Sequence, residues 1–181
     1  MSPEENYLFT SARLGFRNWA DADIPEMTAI SADPDVMEFF PAPATPAQTE
    51  NFIRKMQLLF SEKGYCYFAV EKLDDSAFIG FIGLAEKEFE SAFTPCIDIG
   101  WRLGKTYWNK GFATEGAKRC LEYAFDNLKL KDIKSIASQA NVKSIHVMEK
   151  IGMKKLLDFK HSLLQEHERL VDCVCYEIRN Q

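Results

Sequence analysis

Gly104-Lys105-Thr106-Tyr107-Trp108-Asn109-Lys110-Gly111-Phe112-Ala113-Thr114-Glu115 is the stretch on which the reading of this chain turns. It follows the strand-like run Cys96 to Leu103. It precedes a segment of helical period in which Ala113, Ala117, Cys120, Leu121, Ala124, Phe125 and Leu128 form one stripe. The order is therefore strand, loop, helix start. The first N–H groups of a helix have no intrahelical partner and carry the positive end of its macrodipole, so a phosphate can bind there through the main chain. Small residues at 111 and 113 let backbone and ligand approach, and Lys105 and Lys110 add local positive charge. By itself a Gly-x-Ala also suits an ordinary loop, with Gly111 relaxing the backbone and Thr114 or Asn109 capping the helix. No GxGxxG or GxxxxGK[ST] pattern competes.

Working outward, strands are predicted at Ser11 to Ala20, Tyr65 to Glu71, Phe78 to Glu88, Cys96 to Leu103, Ile133 to Ala140, Met153 to Phe159 and Leu170 to Ile178. Helices are predicted from Asp21 to about Ala32, from Pro46 to Gly64 with Thr45 as N-cap, from Gly111 onward, and from Val142 to Ile151, stopped by Gly152. Asp33 to Phe40 reads as a turn or short helix, and the first ten residues as a loose arm. The order βααβββαβαββ implies an α/β (α+β) fold with a single mixed sheet of about seven strands and helices on both faces. Without a linker or repeat, residues 1–181 read as one domain.

Composition narrows the function classes. The chain has 181 residues, 46% of them hydrophobic, enough for a core without staples. A net charge of −5 gives no general attraction for nucleic acid or an anionic membrane, so neither is expected as a partner. Its field mildly suits a cationic small molecule or a basic protein tail. Five Cys without a CxxC pair, four in apolar strand-like runs, suit reduced thiols in a cytoplasmic protein. The acidic N-terminus lacks a signal-peptide pattern, and no apolar run approaches a membrane span. Three scattered His (146, 161, 167) argue against a metal site.

A second constellation follows the Ile133 to Ala140 strand: Asn141-Val142-Lys143-Ser144-Ile145-His146-Val147-Met148-Glu149-Lys150-Ile151-Gly152-Met153. On a helix Asn141, Ser144 and Met148 lie within about 60° of one another, and His146 points away. Together, Trp-Asn-Lys-Gly-Phe-Ala-Thr-Glu and Asn-x-x-Ser with Glu-Lys-Ile-Gly-Met resemble the acetyl-CoA core of the GNAT superfamily of N-acetyltransferases, specifically its RimJ/RimL-like branch. Arg13-Leu14-Gly15-Phe16-Arg17 and Asp33-Pro34-Asp35-Val36-Met37 match the same branch, so the resemblance covers about residues 10 to 178.

The resemblance implies that the strands before the phosphate loop and before the Asn helix splay apart, with the pantetheine arm of acetyl-CoA in the gap. The main chain of Trp101, Arg102 and Leu103 would hold that arm. Asn109, Lys110, Gly111, Phe112, Ala113 and Thr114 would cradle the pyrophosphate, Asn141 would bond the pantetheine, and Ser144 would lie near the sulfur. Many superfamily members place a proton-donating Tyr seven positions after the Asn. Met148 stands there and cannot donate, so the role of thiolate acid passes to Ser144 or a water. Asp98, where the branch often has an acidic residue, is the candidate base; a carboxylate on the solvent face of the strand is its plain alternative. Glu38, Glu86 and Tyr107 are candidates for the acceptor pocket, and Glu115 is explained by the helix macrodipole. The implied acceptor is a primary amine, foremost a protein N-terminus, whose lower pKa demands less base than an alkyl-ammonium. The assembly state is left open, a homodimer being the oligomer entertained.

Overall fold

The structure, a computed structural model, describes residues 6–180. Its strands are β1 (Phe9–Thr10), β2 (Leu14–Arg17), β3 (Tyr67–Lys72), β4 (Phe78–Lys87), β5 (Cys96–Leu103), β6 (Asp132–Ser138), β7 (Lys154–Lys160) and β8 (Asp172–Arg179). Its helices are α1 (Ile24–Ala32), α2 (Pro46–Lys63), α3 (Phe112–Glu122) and α4 (Val142–Lys150). All eight strands join one sheet in the order β1-β2-β3-β4-β5-β6-β8-β7. Every neighbouring pair is antiparallel except β5 and β6. This mixed sheet with flanking helices is the architecture the patterning predicts.

Eight strands are present where about seven are predicted, and the addition is β1. Residues 6 to 10 are not a loose arm: Phe9 is buried and stacks on Phe16 and Tyr123 at 4.6 and 4.4 Å between ring centroids. The rest of the predicted arm, residues 1 to 5, lies outside the described residues. Strand β2 is also shorter than the predicted Ser11 to Ala20: it ends at Arg17, which still pairs with Ala69 while its side chain serves two carboxylates. It grips Asp23 with two bonds of 2.7 Å and reaches Glu71, fastening the start of α1 to β3. Burial opposes the charge of Arg17, yet these bonds raise its pKa, which makes the trio a paired buried cluster.

Helix α2 begins as its sequence dictates. The Thr45 hydroxyl accepts from the Gln48 N–H at 3.2 Å, the Gln48 side chain accepts from the Thr45 N–H at 2.8 Å, and Gly64 closes the helix at φ +77°. Strand alternation assigns the faces. Leu14, Phe16 and Ile82 meet α3, where Gly116 admits the Ile82 side chain. Tyr67 and Phe81 stack at 4.9 Å on the other face under Phe52 of α2. Helix α3 does not run regularly to Leu128. It widens into a π-turn at Tyr123–Asn127, and Lys129 takes φ +55°.

Candidate active site

The seams on either side of β5 differ. Toward β4, eight residues pair without interruption from Cys96 with Lys87 to Leu103 with Gly80. Toward β6 there is one bridge, Asp98 with Lys134, after which the strands part. The fork is held by the Ser135 hydroxyl, which donates to the Ile99 carbonyl at 2.9 Å. Lys134 is buried there and bonds Asp132 and, at 2.9 Å, Glu177. Since Ile99 turns its main chain toward β6, alternation turns that of Trp101 and Leu103 the same way, into a gap where β6 supplies no partner. The Leu103 carbonyl accepts from the Trp108 indole at 2.9 Å. By the same alternation the main chain of Arg102 turns to β4, where it pairs with Phe81, so of the three residues expected to hold the arm only Trp101 and Leu103 face the gap.

The gap opens toward the start of α3. Lys105–Tyr107 form one 3-10 turn, Asn109 has φ +59°, and Gly111 has φ +80° at the N-cap. A Cβ on Gly111 would meet only the Arg13 guanidinium, at 3.5 Å. No side chain caps α3, and the Gly111 carbonyl accepts from the Glu115 N–H at 3.0 Å. The N–H groups of Phe112, Ala113 and Thr114 precede the first intrahelical donor and stay open to a ligand. Several groups hold the loop. Arg13 donates to the Lys110 carbonyl at 3.1 Å, Lys105 pairs with Asp35, and the Lys143 ammonium lies 4.8 Å from the Trp108 ring centre.

Glu115 does more than complement a helix dipole. It accepts from the Ser11 hydroxyl at 2.7 Å, the Arg13 N–H at 2.8 Å and the Arg13 Nε at 2.6 Å, so it ties the entry to β2 onto the first turn of α3. Burial works against this carboxylate, but those bonds hold it below its ordinary range. Across the gap Asn141 caps α4, its side-chain oxygen accepting from the Ser144 N–H at 3.2 Å. That use leaves the Asn141 NH2 group and the Ser144 hydroxyl available. Met148 is buried, 1% exposed, as part of the core.

Asp98 sits at the bridge itself, and its carboxylate is inside the protein, 5% exposed. The plain alternative of a solvent-face carboxylate therefore does not apply. It accepts from the Tyr67 hydroxyl at 2.5 Å. Burial pushes its pKa up to about 6, against the pull of the Lys87 charge, the Tyr67 hydroxyl and the Ile136 amide. Burial and the neighbouring carboxylate in turn raise the pKa of Tyr67 well above the ordinary value. Gly100 makes room for this arrangement, since a Cβ there would lie 3.1 Å from the Tyr67 ring. Tyr67 is a site residue that sequence pattern does not single out, because a Tyr in an apolar strand reads as packing.

The acceptor candidates scatter. Glu38 is exposed on the loop between α1 and α2, where Arg169 donates to its carbonyl and lies 5.7 Å from the Phe39 ring centre. This clasp joins that loop to the one between β7 and β8. Glu86 pairs in register with Ile97, one step from the Ala85–Asp98 pair, so it turns to the face opposite Asp98. It accepts from the Tyr65 hydroxyl at 3.1 Å and lines a separate hollow of about 500 Å³ with Lys63, Pro95 and Asp132. Tyr107 lies in the turn after β5 with its ring 3.4 Å from the Cβ position of Gly104. The structure brings none of these three together with Asp98. Among the described residues no group of three or more His, Cys, Asp or Glu is placed to hold a metal ion, and no helix is long and apolar enough to cross a membrane.

A mixed sheet forked between two parallel strands, with open helix amides at the mouth of the fork, places an anion-compatible helix start beside an unpaired strand edge, and comparison with known proteins gives the family. The family described as "Acetyltransferase (GNAT) domain" matches residues 13–154. The relative named "Uncharacterized N-acetyltransferase YnaD", from Bacillus subtilis (strain 168), is 30% identical over 160 residues, covering 88% of this chain and 89% of the relative. Among solved structures, a GNAT-family acetyltransferase from Bacillus anthracis superimposes with a TM-score of 0.76 at 29% identity, covering 94% of this chain and 96% of that one. A spermidine N-acetyltransferase from Vibrio cholerae, solved with CoA and spermine, shares the fold with a TM-score of 0.70 at 19% identity, over 92% of this chain and 95% of that one. The chain belongs to the GNAT family of acetyltransferases.

Proposed function

We propose that this acetyltransferase moves the acetyl group of acetyl-CoA to a primary amine by direct attack in a ternary complex, with a protein N-terminal α-amino group as the acceptor, in the manner of the RimJ/RimL-like branch. The observation that carries the reading is the seam that closes at Asp98 and opens onto the free amides of Phe112, Ala113 and Thr114. Those amides, with Asn109, Lys110 and Gly111, fit a pyrophosphate. The main chain of Trp101 and Leu103 fits an extended amide-bearing arm, and the free NH2 of Asn141 faces the same task. Bound acetyl-CoA would supply a thioester, whose thiol has a pKa near ~8.5 and so is a tolerable leaving group.

The chain's own residues supply the remainder. Asp98, half-ionised near pH 6, takes a proton from the incoming ammonium directly or through water. A main-chain N–H on the open edge, at Trp101 or Leu103, meets negative charge developing on the acyl oxygen. Ser144 or a water returns a proton to the departing sulfur. An α-amino group suits this equipment, because its pKa of ~7.7 to 8.0 leaves little for the base to do. A small-molecule amine is the second reading, favoured by the spermine held in the Vibrio cholerae relative of the same fold.

Isothermal titration with acetyl-CoA tests the reading. The wild-type protein should bind in the micromolar range, and Gly111→Trp, which fills the cradle, should abolish binding. A folded wild type that binds none rejects it.

A further inference from the structure

Arg102 is the side chain that the proposed chemistry leaves unemployed. It projects from β5 on the same face as Asp98, directly opposite Phe81 in register. Its guanidinium lies between two rings, with Cζ 4.5 Å from the centre of Phe40 and 5.3 Å from that of Phe81. Among the described residues the one hydrogen bond of its side chain is from Nη1 to the Ser31 hydroxyl at 3.3 Å, and Nε is sealed from solvent without an acceptor. Among the described residues no carboxylate lies within salt-bridge distance of it, although the other buried-strand arginine, Arg17, has two. Burial lowers its pKa to about 10, so it stays charged at neutral pH. A desolvated cation without a counter-ion is costly, and a planar fork of donors matches a carboxylate.

We infer that the Arg102 side chain receives a carboxylate of the acetyl acceptor, so that the substrate class is amines that also carry a carboxylate. This rests on the transfer reading given above and adds the substrate's second functional group. The placement is suitable. Asp98 and Arg102 are four positions apart on β5, ~13 Å between Cα atoms, and their side chains lie on the Tyr67–Phe81 surface between them. An amino acid, or the first residues of a peptide, spans the interval once the two side chains reach inward. The Phe40 ring, 42% exposed, forms the outer wall of the site. The molecule's net negative charge does not decide this point, because recognition at a buried cation is local.

Two sources offer this chemistry, a free amino acid and a peptide with an acidic residue near its N-terminus. Acetyl transfer is therefore measured on matched pairs: glutamate against its diamide, and C-terminally amidated peptides beginning Ser-Asp against Ser-Asn. The carboxylate member should have a kcat/KM about 10- to 100-fold higher in one arm, and the arm that responds identifies the source. Arg102→Met, which keeps the packed stem, should bring that ratio to about 1 mainly through KM, with acetyl-CoA affinity within twofold of wild type. Arg102→Lys should restore part of the ratio. Equal rates within both wild-type pairs, or a ratio that survives in Arg102→Met, overturn the inference, whereas a guanidinium serving only to pack would lower Tm and leave the ratio alone. If the variants do not fold, the wild-type ratio decides. If the wild type acetylates none of these amines, calorimetric titration of its CoA complex with the same pairs decides. A preference there sustains the anion site while the transfer reading fails, and equal binding overturns the site.

Discussion

Strand β6 has one edge paired at seven consecutive residues with β8, from Asp132–Arg179 to Ser138–Cys173, and the other bridged to β5 once. The same backbone thus has one edge closed and one open. Its side chains do not explain the contrast, since Ile133, Ser135 and Ser138 are buried. The difference is geometric. Antiparallel β8 returns along β6 and follows its twist, whereas β5 and β6 are parallel and joined through α3, whose first turn lies across the end of β5. Main-chain groups left open in a protein interior are costly unless a ligand meets them. A seam that pairs at one place only is therefore more informative about function than the regular pairing on either side of it.

Three measurements would break or sharpen that contrast. The largest effect should come from Asp98→Asn, which keeps the acceptor for the Tyr67 hydroxyl but removes the base at the closed end of the seam. Its kcat/KM should fall by about 10²- to 10⁴-fold, and the rise in wild-type rate through a pKa of about 6 should disappear. The same substitution alters the dependence of stability on pH. The Asp98 carboxyl is raised from 3.8 to about 6 in the folded chain, so the unfolded chain releases its proton first. Wild-type stability therefore decreases as pH climbs from about 4 to about 6 and then levels. In the Asn variant this decline should be absent from a Tm series, and its persistence would remove Asp98 as its source.

Next in size is hydrogen exchange with and without saturating acetyl-CoA. The amides of Trp101, Leu103, Phe112, Ala113 and Thr114 should exchange about 100-fold more slowly when it is bound, the protection expected at a hundred times Kd. The amides that join β6 to β8, where they exchange by local opening, should change by less than twofold. Unchanged exchange at the open edge would mean that the open seam is not where the ligand lies. The smallest effect should follow Ser135→Ala, which deletes the bond to the Ile99 carbonyl at the fork. A loss of about 1 kcal/mol in chemical denaturation is expected, with acetyl-CoA affinity weakened because the gap is no longer set at one width.

Much of this was legible in sequence, where local pattern and local structure coincide. Helix α2 could be read from Thr45, Pro46 and Gly64 because each of those residues acts on its nearest neighbours. The loop from Gly104 to Thr114 was legible for the same reason. Strand β1 was not, since two residues carry no period and Phe9 is fixed by rings far along the chain. The partners of Glu115 and the setting of Arg102 were hidden too. Glu115 is committed to Ser11 and Arg13, about a hundred residues away, and a lone Arg in an apolar strand gives no sign of whether a carboxylate waits for it. Glu86 shows the converse: one step of register sends a plausible acidic residue to the wrong side of the sheet.

The turn at Trp108 has a last consequence. Indole, guanidinium and ammonium groups from three separate parts of the chain already hold it in shape. Little conformational entropy is then surrendered when an anion arrives, and affinity at this mouth reflects contact rather than rearrangement.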